Sequence, residues 1–269
     1  MKVLVYDNVE KDAGGVCLKK LTELLVENNI EYFVLHDQDL SQDFVADAIF
    51  TIGGDGTILW LVEFANRTQI PLIGINMGKL GFLSEFELHD IEDAVQLLKN
   101  GELKIDKRDT LKITFNGQVN HSLNDAYIQR IYQKEVGCMT TDIIVNVDGI
   151  LAEKFKGDGA IICTATGSTA YSLSAGGPIL APMVNAFTVA PIAAHALNKR
   201  PIVCSSDSVF EFEIAGKTHC GLFVDGRFIA EIKIGDKVVV EKAEKQTVFL
   251  RRTSFNFYKR LTEKLKDNR

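Results

Sequence analysis

Ala48-Ile49-Phe50-Thr51-Ile52-Gly53-Gly54-Asp55-Gly56-Thr57-Ile58-Leu59 is the stretch on which the reading of this chain turns. Residues 48–52 form a short apolar run of buried-strand type. They run straight into glycines, and Ile58, Leu59, Leu61, Val62 and Ala65 then recur at helical spacing. Glycines at a strand-to-helix turn let the backbone approach a ligand closely, and the unpaired N–H groups and dipole at the helix start favour phosphate. The segment is neither a Walker loop, since no GxxxxGK[ST] is present, nor a GxGxxG turn. Asp55 is the unusual member. A carboxylate repels phosphate, so it makes sense there if it takes a proton from a hydroxyl nucleophile or helps to hold Mg²⁺. The plain alternative is a tight turn in which Asp55 caps the next helix.

Outward from this point, strand and helix alternate. Val3–Tyr6, Tyr32–Leu35 and Pro71–Ile75 read as strands. Leu18, Leu21, Leu24 and Leu25 mark one helix. Ile91, Ala94, Val95, Leu97 and Leu98 mark another, capped by Asp90 and closed by Asn100-Gly101. This βαβ rhythm predicts a mostly parallel sheet covered by helices over residues 1–100. From about residue 101 the texture changes to alternating runs joined by Asn116-Gly117, Asp148-Gly149 and Asp225-Gly226. Such pairs mark hairpins because both turn residues need positive φ. The fold class expected is therefore an α/β N-terminal domain followed by an antiparallel all-β domain over 101–250. Residues 251–269 form an amphipathic helical tail that packs back on the first domain.

Composition bounds the function. The 269 residues are 46% hydrophobic and 25% charged, values of an ordinary globular chain that needs no disulfide or metal to hold a core. No apolar stretch approaches the length of a membrane span, and the N-terminus shows no signal-peptide pattern. A net charge of −6 gives no nucleic-acid signature. From Arg251 onward seven basic and two acidic residues leave a local +5 on an acidic body, suited to docking within the chain or on a sister subunit. The five cysteines (Cys17, Cys138, Cys163, Cys204, Cys220) form no CxxC pair, which points to reduced thiols and a cytoplasmic location. The five histidines show no HExxH spacing, and Ser168 lies in no GxSxG elbow.

Four further segments carry candidate chemistry. Gly74-Ile-Asn-Met-Gly78-Lys-Leu-Gly81-Phe82 leaves the next strand at the sheet edge where such folds bind ligands. Phe82 there either stacks on a base or joins the core. Asn124-Asp125 pairs an amide, which can donate to and accept from an adenine or an amide, with an acid that can accept ribose hydroxyls; in a strand the two would point apart, so they serve one ligand only at a strand end or bend, and the residues alone read first as a β-edge turn. Gly157-Asp158-Gly159 and Thr164-Ala-Thr-Gly-Ser-Thr-Ala-Tyr171-Ser-Leu-Ser174-Ala-Gly-Gly-Pro178 are rich in small hydroxyl residues and hold no cation. That composition suits a nucleoside or amide pocket better than a phosphate clamp.

Together, Gly53–Thr57, Asn124-Asp125, Gly157–Pro178 and the closing Phe255-Asn-Phe-Tyr258-Lys-Arg-Leu261 stand in an order that resembles the NAD kinase family across nearly the whole chain. The resemblance implies phosphorylation of the 2′-hydroxyl of the adenosine ribose of NAD to give NADP, using ATP or polyphosphate and a divalent metal ion. It implies Asp55 as general base and Gly54, Gly56 and Thr57 as the shapers of the phosphate site. Phe82 and Asn124 would meet adenine, and Asp125 would hold ribose hydroxyls. Asp158 and Tyr171 would frame the nicotinamide end. Thr166, Thr169, Ala170 and Ser174 would line the floor, and Asp225 would close the site. A homodimer or homotetramer is implied as well. Asp125, Ala165 and Lys156 stand where members of the family commonly carry Glu, Pro and Arg. The alternatives are a lipid or sugar kinase that shares only the GGDGT loop, which would want an apolar slot or a basic pocket in place of residues 164–174, and a non-catalytic dinucleotide sensor.

Overall fold

A computed structural model describes residues 1–79, 81–131, 140–196, 198–216 and 219–266. Its contacts divide the chain into one unit of residues 1–107 with 247–269 and a second of 108–246.

The first unit is built on a seven-stranded sheet. Glu31–Leu35, Lys2–Asp7, Ala48–Gly53 and Leu72–Asn76 lie side by side in that order and run parallel. Phe86–Glu87 pairs with Leu72–Asn76, as does the late strand Thr247–Arg251, which Lys104–Arg108 follows at the edge. The return of residues 247–251 to this sheet has no local signal, because a strand's partner is not written in its own periodicity. Ala48–Ile52 is buried along its whole length because helices cover both faces. On one face, Val3, Val5, Phe50, Ile52, Ile73 and Ile75 pack under helices Val16–Glu27 and Ile91–Asn100. Leu4, Ile49 and Leu72 point the other way by strand alternation. The helix Asp55–Thr68 packs on Ala48–Gly53, Leu72–Asn76 and Thr247–Arg251, burying Ile58, Leu61, Val62 and Ala65. Asp90 takes the N-cap position of the helix Ile91–Asn100 as expected, but its side chain makes no cap hydrogen bond. Its carboxylate accepts from the Glu87 N–H at 3.0 Å and from Arg252 at 2.8 Å.

In the second unit two six-stranded antiparallel sheets enclose one core. The first runs Ile150–Gly157, Thr141–Val147, Phe210–Ile214, Lys237–Lys242, Leu111–Phe115, Gln118–Ser122. The second runs Ile202–Ser205, Ala186–Ile192, Gly159–Cys163, Asp125–Arg130, Cys220–Val224, Arg227–Ile232. Ile113, Ile143, Phe212 and Val238 of the first face Ile128, Ile162, Phe187 and Leu222 of the second. All three expected hairpin turns form, with φ between 46° and 52° at Asn116, Asp148 and Asp225 and 77–78° at the following glycines. Cys17, Cys163, Cys204 and Cys220 are unbridged thiols, and Cys138 lies outside the described residues. No described helix is long and apolar enough to cross a membrane.

Candidate functional site

The parallel sheet of the first unit places its carboxyl ends at Asp7, Gly53 and Asn76; Asp7 pairs in register with Ile52, and Gly53 with Asn76. Chain order reverses between strands Lys2–Asp7 and Ala48–Gly53, and open α/β sheets bind ligands outside the carboxyl ends at such a point. The glycine turn sits there. Gly54 is the residue before the helix Asp55–Thr68, and Gly56 beside it is exposed. Thr57 Oγ1 accepts from the Asn8 side chain at 3.1 Å and from the Gly54 N–H at 3.4 Å.

Asp55 does not spend its carboxylate on the helix that it opens. Oδ2 accepts the Phe82 N–H at 2.7 Å; Oδ1 accepts the N–H groups of Leu83 and Ser84 at 3.2 Å and the Ser84 hydroxyl at 3.3 Å. Asp55 and Phe82 are therefore brought together, and Oδ2 is the less engaged oxygen. Gly81 makes this embrace possible: a Cβ on it would overlap the Asp55 carboxylate. Gly81→Ala is accordingly expected to push the loop off Asp55 and to lower kcat/KM by about tenfold or more, since misplacement near an ångström is costly. Steady-state kinetics beside a thermal-unfolding control would check this. Two more groups stand at this edge that sequence reading missed. Asn76 is buried, and its side-chain NH₂ has no hydrogen-bond partner among the described residues. A Cβ on Gly54 would lie 3.5 Å from its Oδ1. Burial pushes the Asp7 carboxyl up to about 6, helped by the charge of Asp12. The signal for both was their place at the last position of a buried strand.

In the second unit, Asp225 organises the remaining residues. From a positive-φ turn it reaches across to residues 122–125. Its Oδ1 accepts the Ser122 hydroxyl at 2.7 Å, the Asn124 N–H at 2.9 Å and the Asp125 N–H at 3.2 Å; Oδ2 accepts the Leu123 N–H at 3.0 Å. Asn124 and Asp125 thus sit at a strand start, the geometry that lets neighbours serve one ligand. The Thr164–Thr169 turn packs against them. Thr164 N–H donates to the Asn124 carbonyl at 2.9 Å, and a Cβ on Gly167 would overlap the Asn124 backbone. Thr166 Oγ1 accepts from Arg108 at 3.2 Å, and Thr169 donates to the Thr166 carbonyl at 3.3 Å.

Asp125, Tyr127 and Gln129 share the outer face of their strand by alternation. Tyr171 lies along that face. Its backbone N–H donates to Asp125, its ring meets Tyr127 edge-on at 5.0 Å, and its hydroxyl bonds Gln129. Tyr127 stacks on Phe223 at 4.8 Å on the other side. Asp158 stands at the far end of this row, paired with Arg130 at 2.9 Å and close enough for its charge to reach Tyr171. Asn124 and Asp125 therefore mark one end of an aromatic floor along which Tyr171 lies, and Asp158 with Arg130 marks the other, about 16 Å away at the strand rise over five residues. Ala170 lies beside Tyr171, its N–H bonded to the Gly167 carbonyl at 2.9 Å. Ser174 is exposed. Sequence reading missed Tyr127, Gln129 and Arg130; the period-2 pattern starting at Asp125 was the available signal.

Burial, together with the charge of Asp225, pushes the Asp125 carboxyl up to about 7, against the Tyr171 N–H that lowers it. The fold thus favours protonated Asp125. That stability is complete below the unfolded value near 4 and is lost as pH rises through about 7. Asp125→Asn cannot ionise, so the melting temperature of the native chain should fall relative to this variant between pH 5 and pH 8. Thermal unfolding at both pH values would show it.

Models of the ATP-NAD kinase N-terminal domain and C-terminal domain match residues 2–103 and 123–252. A Caldicellulosiruptor bescii protein named NAD kinase is 34% identical over 268 residues, 99% of this chain and 100% of that one. A Thermococcus sibiricus NAD kinase is 36% identical and covers 92% of each. Among solved structures, yeast NADH kinase complexed with NADH superposes with a TM-score of 0.87 at 25% identity, over 100% of this chain and 88% of that one. An Archaeoglobus fulgidus NAD kinase in complex with ATP gives 0.81 at 24% identity over 99% of each, a likeness of fold. With both family domains matched in order over most of its length, this chain belongs to the ATP-NAD kinase family of enzymes.

Proposed function

We propose that this chain phosphorylates NAD on the 2′-hydroxyl of its adenosine ribose, taking the γ-phosphoryl group of ATP. The hydroxyl proton goes to Asp55 Oδ2, the ribose oxygen bonds the γ-phosphorus, the β–γ bridging bond breaks, and ADP leaves. The observation that carries this reading is the Asp55 carboxylate held in a glycine turn by three backbone N–H groups of residues 82–84, with Oδ2 accepting only one of them. Phosphates suit the glycine turn at the start of a 14-residue helix. In the first unit the ring of Phe82 suits a stacked base, and in the second the amide of Asn124 suits the edge of an adenine. Ribose hydroxyls suit Asp125, and the nicotinamide end suits the uncharged row at Tyr127, Gln129 and Tyr171.

The residues fit a metal ion that travels with the nucleotide. Among the described residues, the one cluster of three possible ligands is Glu87, His89 and Asp90, and none stands in the glycine turn. Mg²⁺ commonly keeps several waters and takes phosphate oxygens with at most one or two carboxylates, so the nucleotide's phosphates and water would hold it, and Asp55 Oδ2 is left for the ribose proton. When bound, the ion neutralises charge on the transferring phosphoryl group. We further propose a cytoplasmic homo-oligomer; exposed Ile150 and Leu151 on the edge strand Ile150–Gly157 support the association, and light scattering tests it. The function is tested by incubating NAD or NADH with ATP or polyphosphate, with and without Mg²⁺, and locating the new phosphate by ³¹P NMR. A 2′-phosphate formed in a metal-dependent reaction is expected. Binding of NAD without turnover under all donors would overturn the proposal in favour of a dinucleotide sensor.

A further inference from the structure

We propose that Arg260, on the C-terminal helix Phe257–Lys266, is a positioning residue for the loop Gly81–Ser84, and through it for Asp55 and Phe82; this rests on the reading that those two residues serve NAD. Its guanidinium is mostly buried and grips the loop at both ends. Nη1 donates to the Gly81 carbonyl at 3.0 Å, and Nη2 stands 4.0 Å from Glu85 Oε2. Between those two points lie the three N–H groups that bond Asp55. Glu85 is itself buried and shared with Arg251 at 3.5 Å, and Arg251 is held by Asp106 at 2.7 Å. A row of alternating charge thus runs from the strand Lys104–Arg108 to the back of the loop. A carbonyl and a carboxylate in different directions call for the planar fork of arginine, which a lysine ammonium cannot match. Releasing Arg260 leaves Gly81 and Glu85 without their common anchor and lets the 82–84 amides drift from Asp55.

Arg252 supplies the control. It ties the same C-terminal segment to Asp90 and Asp93, at 2.8 and 2.7 Å, and makes no bond to the 81–84 loop. The experiment compares full-length Arg260→Ala, Arg260→Lys and Arg252→Ala by amide hydrogen exchange, melting temperature and kinetics. Exchange at Phe82, Leu83 and Ser84 should rise roughly ten- to a hundredfold in Arg260→Ala, the equivalent of one charge-assisted hydrogen bond. KM for NAD should rise about tenfold, with KM for ATP nearly unchanged, because the loop carries Phe82. Arg260→Lys should recover part of both, and Arg252→Ala should lower the melting temperature while sparing them. Unchanged exchange at 82–84 in Arg260→Ala, or an equal rise in Arg252→Ala, overturns the inference. Exchange is read without substrate, so this failure is distinct from failure of the catalytic reading, which an Asp55→Asn enzyme of full turnover would signal.

Discussion

Asp55→Asn is expected to lower kcat by about 10²–10⁴, the range for loss of a general base. The substitution keeps the side chain's shape. An amide oxygen in the place of Oδ1 still accepts from Leu83 and Ser84, whereas the NH₂ in the place of Oδ2 faces the Phe82 N–H. One acceptor becomes a donor, so a modest loss of stability comes with the change, about 1–3 kcal/mol for an unsatisfied buried donor. That is too little to unfold a typical domain, so the folded fraction measured beside kcat separates chemistry from folding. An enzyme with native kcat would leave Asp55 as a mere tie between the glycine turn and the Gly81–Ser84 loop.

The second large effect belongs to Asp225, which no catalytic step uses. Asp225→Ala removes the acceptor of one hydroxyl and three backbone N–H groups at once. Those donors sit at a buried strand start, with Ser122, Leu123 and Asp125 each under 5% exposed. We expect a loss of roughly 3–5 kcal/mol, as when a buried charge partner is withdrawn, part of it from placing alanine at positive φ. Urea unfolding at constant slope would measure it. NAD binding should weaken together with stability, because Asn124 and Asp125 lose the clamp that aims both at one place. Asp225→Asn keeps the shape and removes the charge. Since that charge helps to push Asp125 up to about 7, the pH-dependent loss of stability from Asp125 should end at lower pH in Asp225→Asn. No shift of that transition would mean that burial alone sets it.

Residues 48–59 and the three hairpin turns were legible in the sequence because their signals are local. A buried strand is an apolar run, a helix repeats every 3.6 residues, and Asn-Gly or Asp-Gly supplies the positive φ of a tight turn. Most of the expected site residues were legible for the same reason: Gly54, Asp55 and Phe82 flank strand exits, and Asp125 opens a strand. Their partners were not. Nothing near Asp225 in the sequence points to residues 122–125, about a hundred positions away, and nothing near Arg260 points to Gly81.

The sequence by itself determined the element types, the change from parallel to antiparallel architecture and the residues rich enough in chemistry to form a site, since propensity, periodicity and turn geometry act over a few residues. Only the tertiary structure decided that Asp55 is gripped by the loop after the next strand, that Asp225 holds the backbone of residues 122–125, and that the strand Thr247–Arg251 returns to the first sheet. Those outcomes depend on which distant backbone groups find an acceptor once burial excludes water, and a one-dimensional pattern does not record that competition.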